Sequence, residues 1–184
     1  PCSPELFEST DIIMHGVVNN SSYKLPQLAP DGNYCPDAAM ELTIAYNSDW
    51  NLVGLPLQVD DSYYEIIFPD AIEGTFFSFN EGYNPEEMLV HGNGYWLRFP
   101  SESNVVITGL SLEELTISLA QGWNLITGIS FPFNMNDIVD VDNIVIDGTL
   151  YSFVDGYHPV DTLEPGKGYW VRANNLGNIT FMSN

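Results

Sequence analysis

Residues 74–98, GTFFSFNEGYNPEEMLVHGNGYWLR, and residues 148–172, GTLYSFVDGYHPVDTLEPGKGYWVR, say nearly the same thing. About half of the positions are identical at a fixed spacing, the signature of an internal repeat. The match continues upstream across a single-residue gap, LTIAYNSDWNLVG at 42–54 against LTISLAQGWNLITG at 115–128. Downstream, Asn104-Val105-Val106-Ile107 lines up with Asn178-Ile179-Thr180-Phe181. The chain therefore divides into an N-terminal arm (1–39) and two units of about 70 residues, 40–110 and 111–184. Such units lie near the lower size at which one core suffices, so burial between the copies is expected. No catalytic residue type recurs between them, which favours a binding or structural protein over an enzyme.

Working outward, each copy reads as mostly strand. Residues 42–46 and 115–119 alternate, and 50–54 and 123–128 follow after a polar turn, as a hairpin would require. Aromatics at period two mark 75–79 and 149–153; Tyr-Trp strands follow at 94–99 and 168–171, and a last strand closes each copy. The helical candidate is 61–68, which ends at Pro69, with a shorter equivalent at 136–139. The expected fold is mainly β: two tandem antiparallel β repeats with one short helix each, plus the arm. Gly92 with Gly166 and Gly94 with Gly168 recur at the turn entering the Tyr-Trp strand, where positive φ or close approach is needed.

Charge narrows the partners. With 25 acidic residues against 4 basic ones the formal net charge is -21. Phosphate backbones and anionic lipids would repel such a chain, which disfavours nucleic acid and membrane surfaces, and no apolar run is long enough to insert into a bilayer. The scarcity of cations suits salty or calcium-bearing water and an extracellular or cell-surface setting. Cys2 and Cys35 lie in the arm with no metal-ligand spacing around them, and a disulfide is the leading reading; its loop closure would contribute about 3–4 kcal/mol in the chain-entropy model. The opening Pro-Cys-Ser-Pro looks processed or excised from something longer. The arm's apolar run 12–18 reads as a strand with nothing adjacent in sequence to pair with. It docks either on the first repeat's sheet edge or on a neighbouring copy, the second option making a filament subunit.

Gly122-Trp123-Asn124-Leu125-Ile126, then Gly156-Tyr157, then Leu163-Glu164-Pro165-Gly166-Lys167-Gly168-Tyr169-Trp170-Val171 resembles a repeat found as tandem modules in large secreted bacterial surface proteins, near adhesive or carbohydrate-active modules. The first copy departs from that pattern, with Asp49 for the leading glycine and Val90-His91-Gly92-Asn93 for the Glu-Pro-Gly-Lys turn. The resemblance implies a β-rich, non-catalytic module and identifies neither ligand nor catalytic residues.

Three constellations compete for a functional role. Asp137, Asp140 and Asp142 form a candidate calcium loop, although the spacing lacks the glycine and distal glutamate of an EF-hand, and a solvated acidic face explains it as well. Arg98 and Arg172 each follow a Tyr-Trp strand, and Glu81 and Asp155 each precede Gly-Tyr; they suggest fixed structural ion pairs. Trp50, Tyr83, Tyr95 and Trp96 recur as Trp123, Tyr157, Tyr169 and Trp170, aromatics suited to stacking on glycans, with the exposed member of each Tyr-Trp pair plus Tyr83 or Tyr157 as the platform. Alternation puts the Tyr and Trp of each pair on opposite faces, so at least one of each belongs to the core or to packing between repeats. His15, His91 and His158 are scattered, and no nucleophile elbow or phosphate loop exists. The sequence thus points to a non-catalytic structural or adhesive module without an organic cofactor. Its partners would be copies of itself or neighbouring surface-protein domains, and its alternative is a carbohydrate-binding module.

Overall fold

The computed structural model describes residues 39–183 and the backbone of 15–18 and 21–24. The candidate Cys2–Cys35 disulfide lies outside the described residues. In the arm, β1 (His15–Val18) pairs antiparallel with β2 (Ser21–Lys24), which lies against β3 (Met40–Tyr46). The described part of the apolar run, 15–18, therefore does have a partner adjacent in sequence. Ser-Ser-Tyr-Lys carries no hydrophobic alternation to announce it, and only Asn19-Asn20 separates the two strands.

The rest is mainly β and antiparallel. After β3 come β4 (Asp49–Val53), β5 (Leu57–Gln58), a one-turn helix α1 (Tyr64–Ile67), β6 (Phe77–Phe79), β7 (Tyr83–Pro85), β8 (Tyr95–Phe99) and β9 (Ser103–Ser111). Then follow β10 (Glu114–Leu119), β11 (Gly122–Thr127), β12 (Phe133–Asn134), a 3₁₀ turn at Met135–Asp137, β13 (Tyr151–Phe153), β14 (Tyr157–Pro159), β15 (Thr162–Leu163), β16 (Gly168–Ala173) and β17 (Gly177–Met182). Two four-stranded sheets share one order, β4-β8-β6-β7 and β11-β16-β13-β14. Their companions are β3-β9-β5 and β10-β17. Among the described residues no helix is long and apolar enough to cross a membrane.

The hairpin expected of 42–46 with 50–54, and its counterpart in the second copy, does not form. β3 pairs with β9 and β4 with β8; β10 pairs with β17 and β11 with β16. A side-chain clasp accounts for the change of sheet. Asn51 Oδ1 accepts from the Asn47 amide at 3.0 Å, and its Nδ2 donates to the carbonyls of Asn47 (2.9 Å) and Asp49 (3.0 Å). Asn124 makes the same three bonds, to the Ala120 amide and to the carbonyls of Ala120 and Gly122. By saturating the corner's backbone groups, the asparagine lets the chain cross from one layer to the other instead of folding back.

Each half fills the space between its layers. Met40, Leu42, Ile44 and Tyr46 point inward from β3, with Val105 and Ile107 from β9, to meet Val53, Tyr95, Leu97 and Phe99. α1 closes this core with Tyr64 and Ile67. Ile117, Leu119, Ile179 and Phe181 meet Ile126, Tyr169, Val171 and Ala173 in the second half. Each fully buried Leu, Ile or Phe contributes about 1.5–3 kcal/mol relative to exposure.

The halves join through backbone as well as side chains. Asn93, just before β8, bridges Ile126 of β11; Lys167, just before β16, bridges Val53 of β4. Since β4 pairs with β8 and β11 with β16, the four strands make a closed circuit of pairing. The Gly54 amide donates to the Gly166 carbonyl and the Thr127 amide to the Gly92 carbonyl, both at 3.0 Å. Gly92 (φ 85°) and Gly166 (φ 76°) occupy the left-handed region, and a Cβ on either would meet an isoleucine of the opposite half at 2.2 Å. Leu52, Trp96, Leu125 and Trp170 form a third, shared core at the junction.

Candidate functional site: two matched aromatic pockets

Strand register sorts the aromatics. Trp50 lies opposite Arg98, Leu52 opposite Trp96, Trp96 opposite Phe77, Phe77 opposite Pro85 and Phe79 opposite Tyr83. Residues paired across strands share a face, so these side chains line one side of the sheet while Tyr95 lines the other. The second sheet repeats the pattern with Trp123 opposite Arg172, Leu125 opposite Trp170, Trp170 opposite Tyr151 and Phe153 opposite Tyr157.

These two aromatic faces converge at the shared core and exchange one ring. Phe153 meets Trp96 edge-on at 4.7 Å and 77°, and Phe79 meets Trp170 at the same distance and angle. Two cavities result. The first, about 400 Å³, is lined by Trp50, Phe77, Tyr83 and Trp96 together with Phe153. The second, about 380 Å³, is lined by Trp123, Tyr151, Tyr157 and Trp170 together with Phe79. Every lining residue is aromatic. Trp50 and Trp123 stand perpendicular to the buried tryptophans at 6.1 and 6.5 Å, both at 89°, and are themselves more than a third exposed. Tyr83 (59%) and Tyr157 (54%) form the open rims.

Polar groups in these cavities are few and unspent. The indole N–H groups of Trp96 and Trp170 are buried and have no hydrogen-bond partner. A buried donor left so costs about 1–3 kcal/mol, and native interiors tolerate few. The Tyr157 phenol is pushed up, chiefly by burial and next by the neighbouring Tyr83, while the Trp170 indole pulls it back. That indole nevertheless makes no hydrogen bond of its own. Each pocket thus offers flat apolar walls and a rim phenol, with one unpartnered indole N–H buried behind the wall.

No family model, curated protein or solved structure matches the chain.

Of the six aromatic candidates, Tyr83, Tyr157, Trp96 and Trp170 reach the pockets, but Tyr95 and Tyr169 do not. Both tyrosines are buried in the cores of their own halves, where the Val90 and Glu164 amides donate to their hydroxyls at 2.9 and 2.7 Å. Trp50, Trp123, Phe77, Phe79, Tyr151 and Phe153 complete the site. Period-two spacing at 77 and 79 and at 151 and 153 carried that signal; which strand lay beside which did not follow from it.

The ion pairs also fall elsewhere. Arg98 Nε meets Asp49 Oδ1 at 2.5 Å, not Glu81. Glu81 (φ 55°) and Asp155 (φ 53°) occupy left-handed turn positions between the strands of their hairpins, and Arg172 has Gly122 where the first half has Asp49. Asp140 spends its two carboxylate oxygens on its own loop, accepting from the Ile144 and Val145 amides at 3.0 and 2.8 Å. Among the described residues, Asp137, Asp140 and Asp142 do not gather into a group of three that could hold a metal ion.

Proposed function

We propose that this chain is a non-catalytic extracellular adhesive module that holds saccharides in two matched aromatic pockets. The observation that carries the reading is the pair of cavities itself: two similar walls of five aromatic rings, each with an exposed tryptophan and an unpartnered indole N–H. The C–H face of a sugar ring packs on such walls, and its hydroxyls exchange bonds with the rim tyrosine. A net charge of -21 is compatible with neutral or sparsely charged glycans and not with polyanions. The resemblance to secreted surface repeats supports the same setting.

The test is calorimetry and tryptophan fluorescence against a broad oligosaccharide panel. Two sites per chain are expected, with Trp50→Ala and Trp123→Ala each removing one and the double variant removing both. Because both tryptophans are partly exposed, the variants should stay folded by circular dichroism. Silence across the whole panel would end the saccharide reading.

A further inference from the structure

The two pockets differ in one respect that matters for ligand choice. In the first, the guanidinium beside Trp50 is neutralised: Arg98 is tied to Asp49, a residue held at φ 71°. In the second, glycine occupies that position (Gly122, φ 101°), and Arg172, opposite Trp123 in the register, is exposed with no side-chain partner. Among the cations whose side chains are described, Arg98, Lys167 and Arg172, it is the one left uncommitted. Lys167 donates to the Ala45 carbonyl and sits 4.0 Å from the centre of the Tyr46 ring.

We infer that the Trp123 pocket takes a sugar ring bearing a single carboxylate, a uronic acid, while the Trp50 pocket takes a neutral ring. This rests on the reading of both cavities as saccharide sites. The chemistry follows from the placement. Arg172 and Trp123 project from the same face at paired positions, so a ring stacked on the indole brings a C6 substituent beside the guanidinium, whose fork matches a carboxylate. In the first pocket the Asp49 carboxylate already sits on the Arg98 Nε, neutralising that guanidinium, and would repel a second carboxylate. A ligand with many carboxylates is disfavoured by the chain's overall charge; an isolated one meets mainly the local field, screened within about 10 Å at ordinary ionic strength.

The experiment is calorimetry on the whole chain with neutral hexose disaccharides and with the same disaccharides oxidised to a carboxylate at one C6. For at least one matched pair, the acid is expected to bind one site per chain about tenfold more tightly than the neutral sugar, the equivalent of about 1.4 kcal/mol. Arg172→Gln should bring the acid-to-neutral ratio to one. Asp49→Asn should raise the number of acid-preferring sites from one to two. If neutral disaccharides bind and their acids do no better, or if Arg172→Gln keeps the preference, the charge inference falls and the saccharide reading stands. If neither kind binds, or if only a proline-rich peptide control occupies the pockets, both fall.

Discussion

Replacing Gly166 with alanine tests how the two halves are joined. Its φ of 76° is left-handed, which costs an L-residue about 1–2 kcal/mol. The new Cβ would also lie 2.2 Å from Ile44 Cδ1 and 3.2 Å from Ile44 Cγ1, across the junction in β3. Relieving that overlap in a packed core costs about 1–3 kcal/mol, so Gly166→Ala should destabilise by about 2–5 kcal/mol in total. The steric part can be isolated. Ile44→Val alone costs about 0.5–1.5 kcal/mol, but it deletes Cδ1, the atom in the way. The double variant should therefore be more stable than the sum of the singles by about 1–2 kcal/mol. Urea unfolding with unchanged m-values measures this directly, since a coupling of that size moves the midpoint by roughly a third of a molar or more. The matched site supplies a control: alanine at Gly92 would meet Ile117 Cγ2 at 2.2 Å, an atom that valine retains. Ile117→Val should give no comparable rescue of Gly92→Ala. Additivity at Gly166 and Ile44, or equal coupling at both sites, would refute the reasoning.

Two further predictions follow from burial. Burial lowers Lys167 from an ordinary 10.5 to about 8, so between those values the unfolded chain binds the extra proton and stability rises with pH. Tyr46, Tyr95 and Tyr169 are raised by burial, Tyr169 to about 12; above their ordinary 10.0 the unfolded chain loses phenolic protons that the folded chain keeps, and stability falls. The urea midpoint should thus peak near pH 10, and Lys167→Met should flatten the climb from pH 8 while leaving the alkaline fall; an unchanged climb would remove Lys167 as its source. Phe79→Ala and Phe153→Ala each withdraw a ring that crosses to the other half's tryptophan, and because these rings are only partly buried each should cost about 2 kcal/mol, below the about 3–5 kcal/mol of a fully buried Phe. Each variant should also open the pocket to which its ring belongs, red-shifting tryptophan emission; emission as in the parent chain would count against the exchanged-ring geometry.

Alternation made the strands legible because it reports burial locally. Met40 to Tyr46 reads inward and outward in turn whatever lies beside it. The glycines of the Gly-x-Gly turns were legible for a related reason, since residues recurring at one spacing mark backbone that no side chain can replace. Pairing was not legible. Asn51 and Asn124 look like ordinary turn asparagines, yet their clasps send the strands that carry them into separate sheets. The same limit hid half of the site: Trp50 joins Phe77 and Trp96 only because β4, β8 and β6 are neighbours, and Phe153 reaches Trp96 only across the junction. For Tyr95 and Trp96, alternation shows that the two must part ways but not which of them meets the core.

The closed pairing of β4, β8, β11 and β16 also fixes what can be handed on as a unit. Cut between β9 and β10, either piece would lose the loop of the other half that bridges its β4 or β11, along with the ring that finishes its pocket. The smallest portable part is therefore the pair. Lengthening such a chain by one copy would leave an orphan, so growth by twos is the arithmetic this architecture permits.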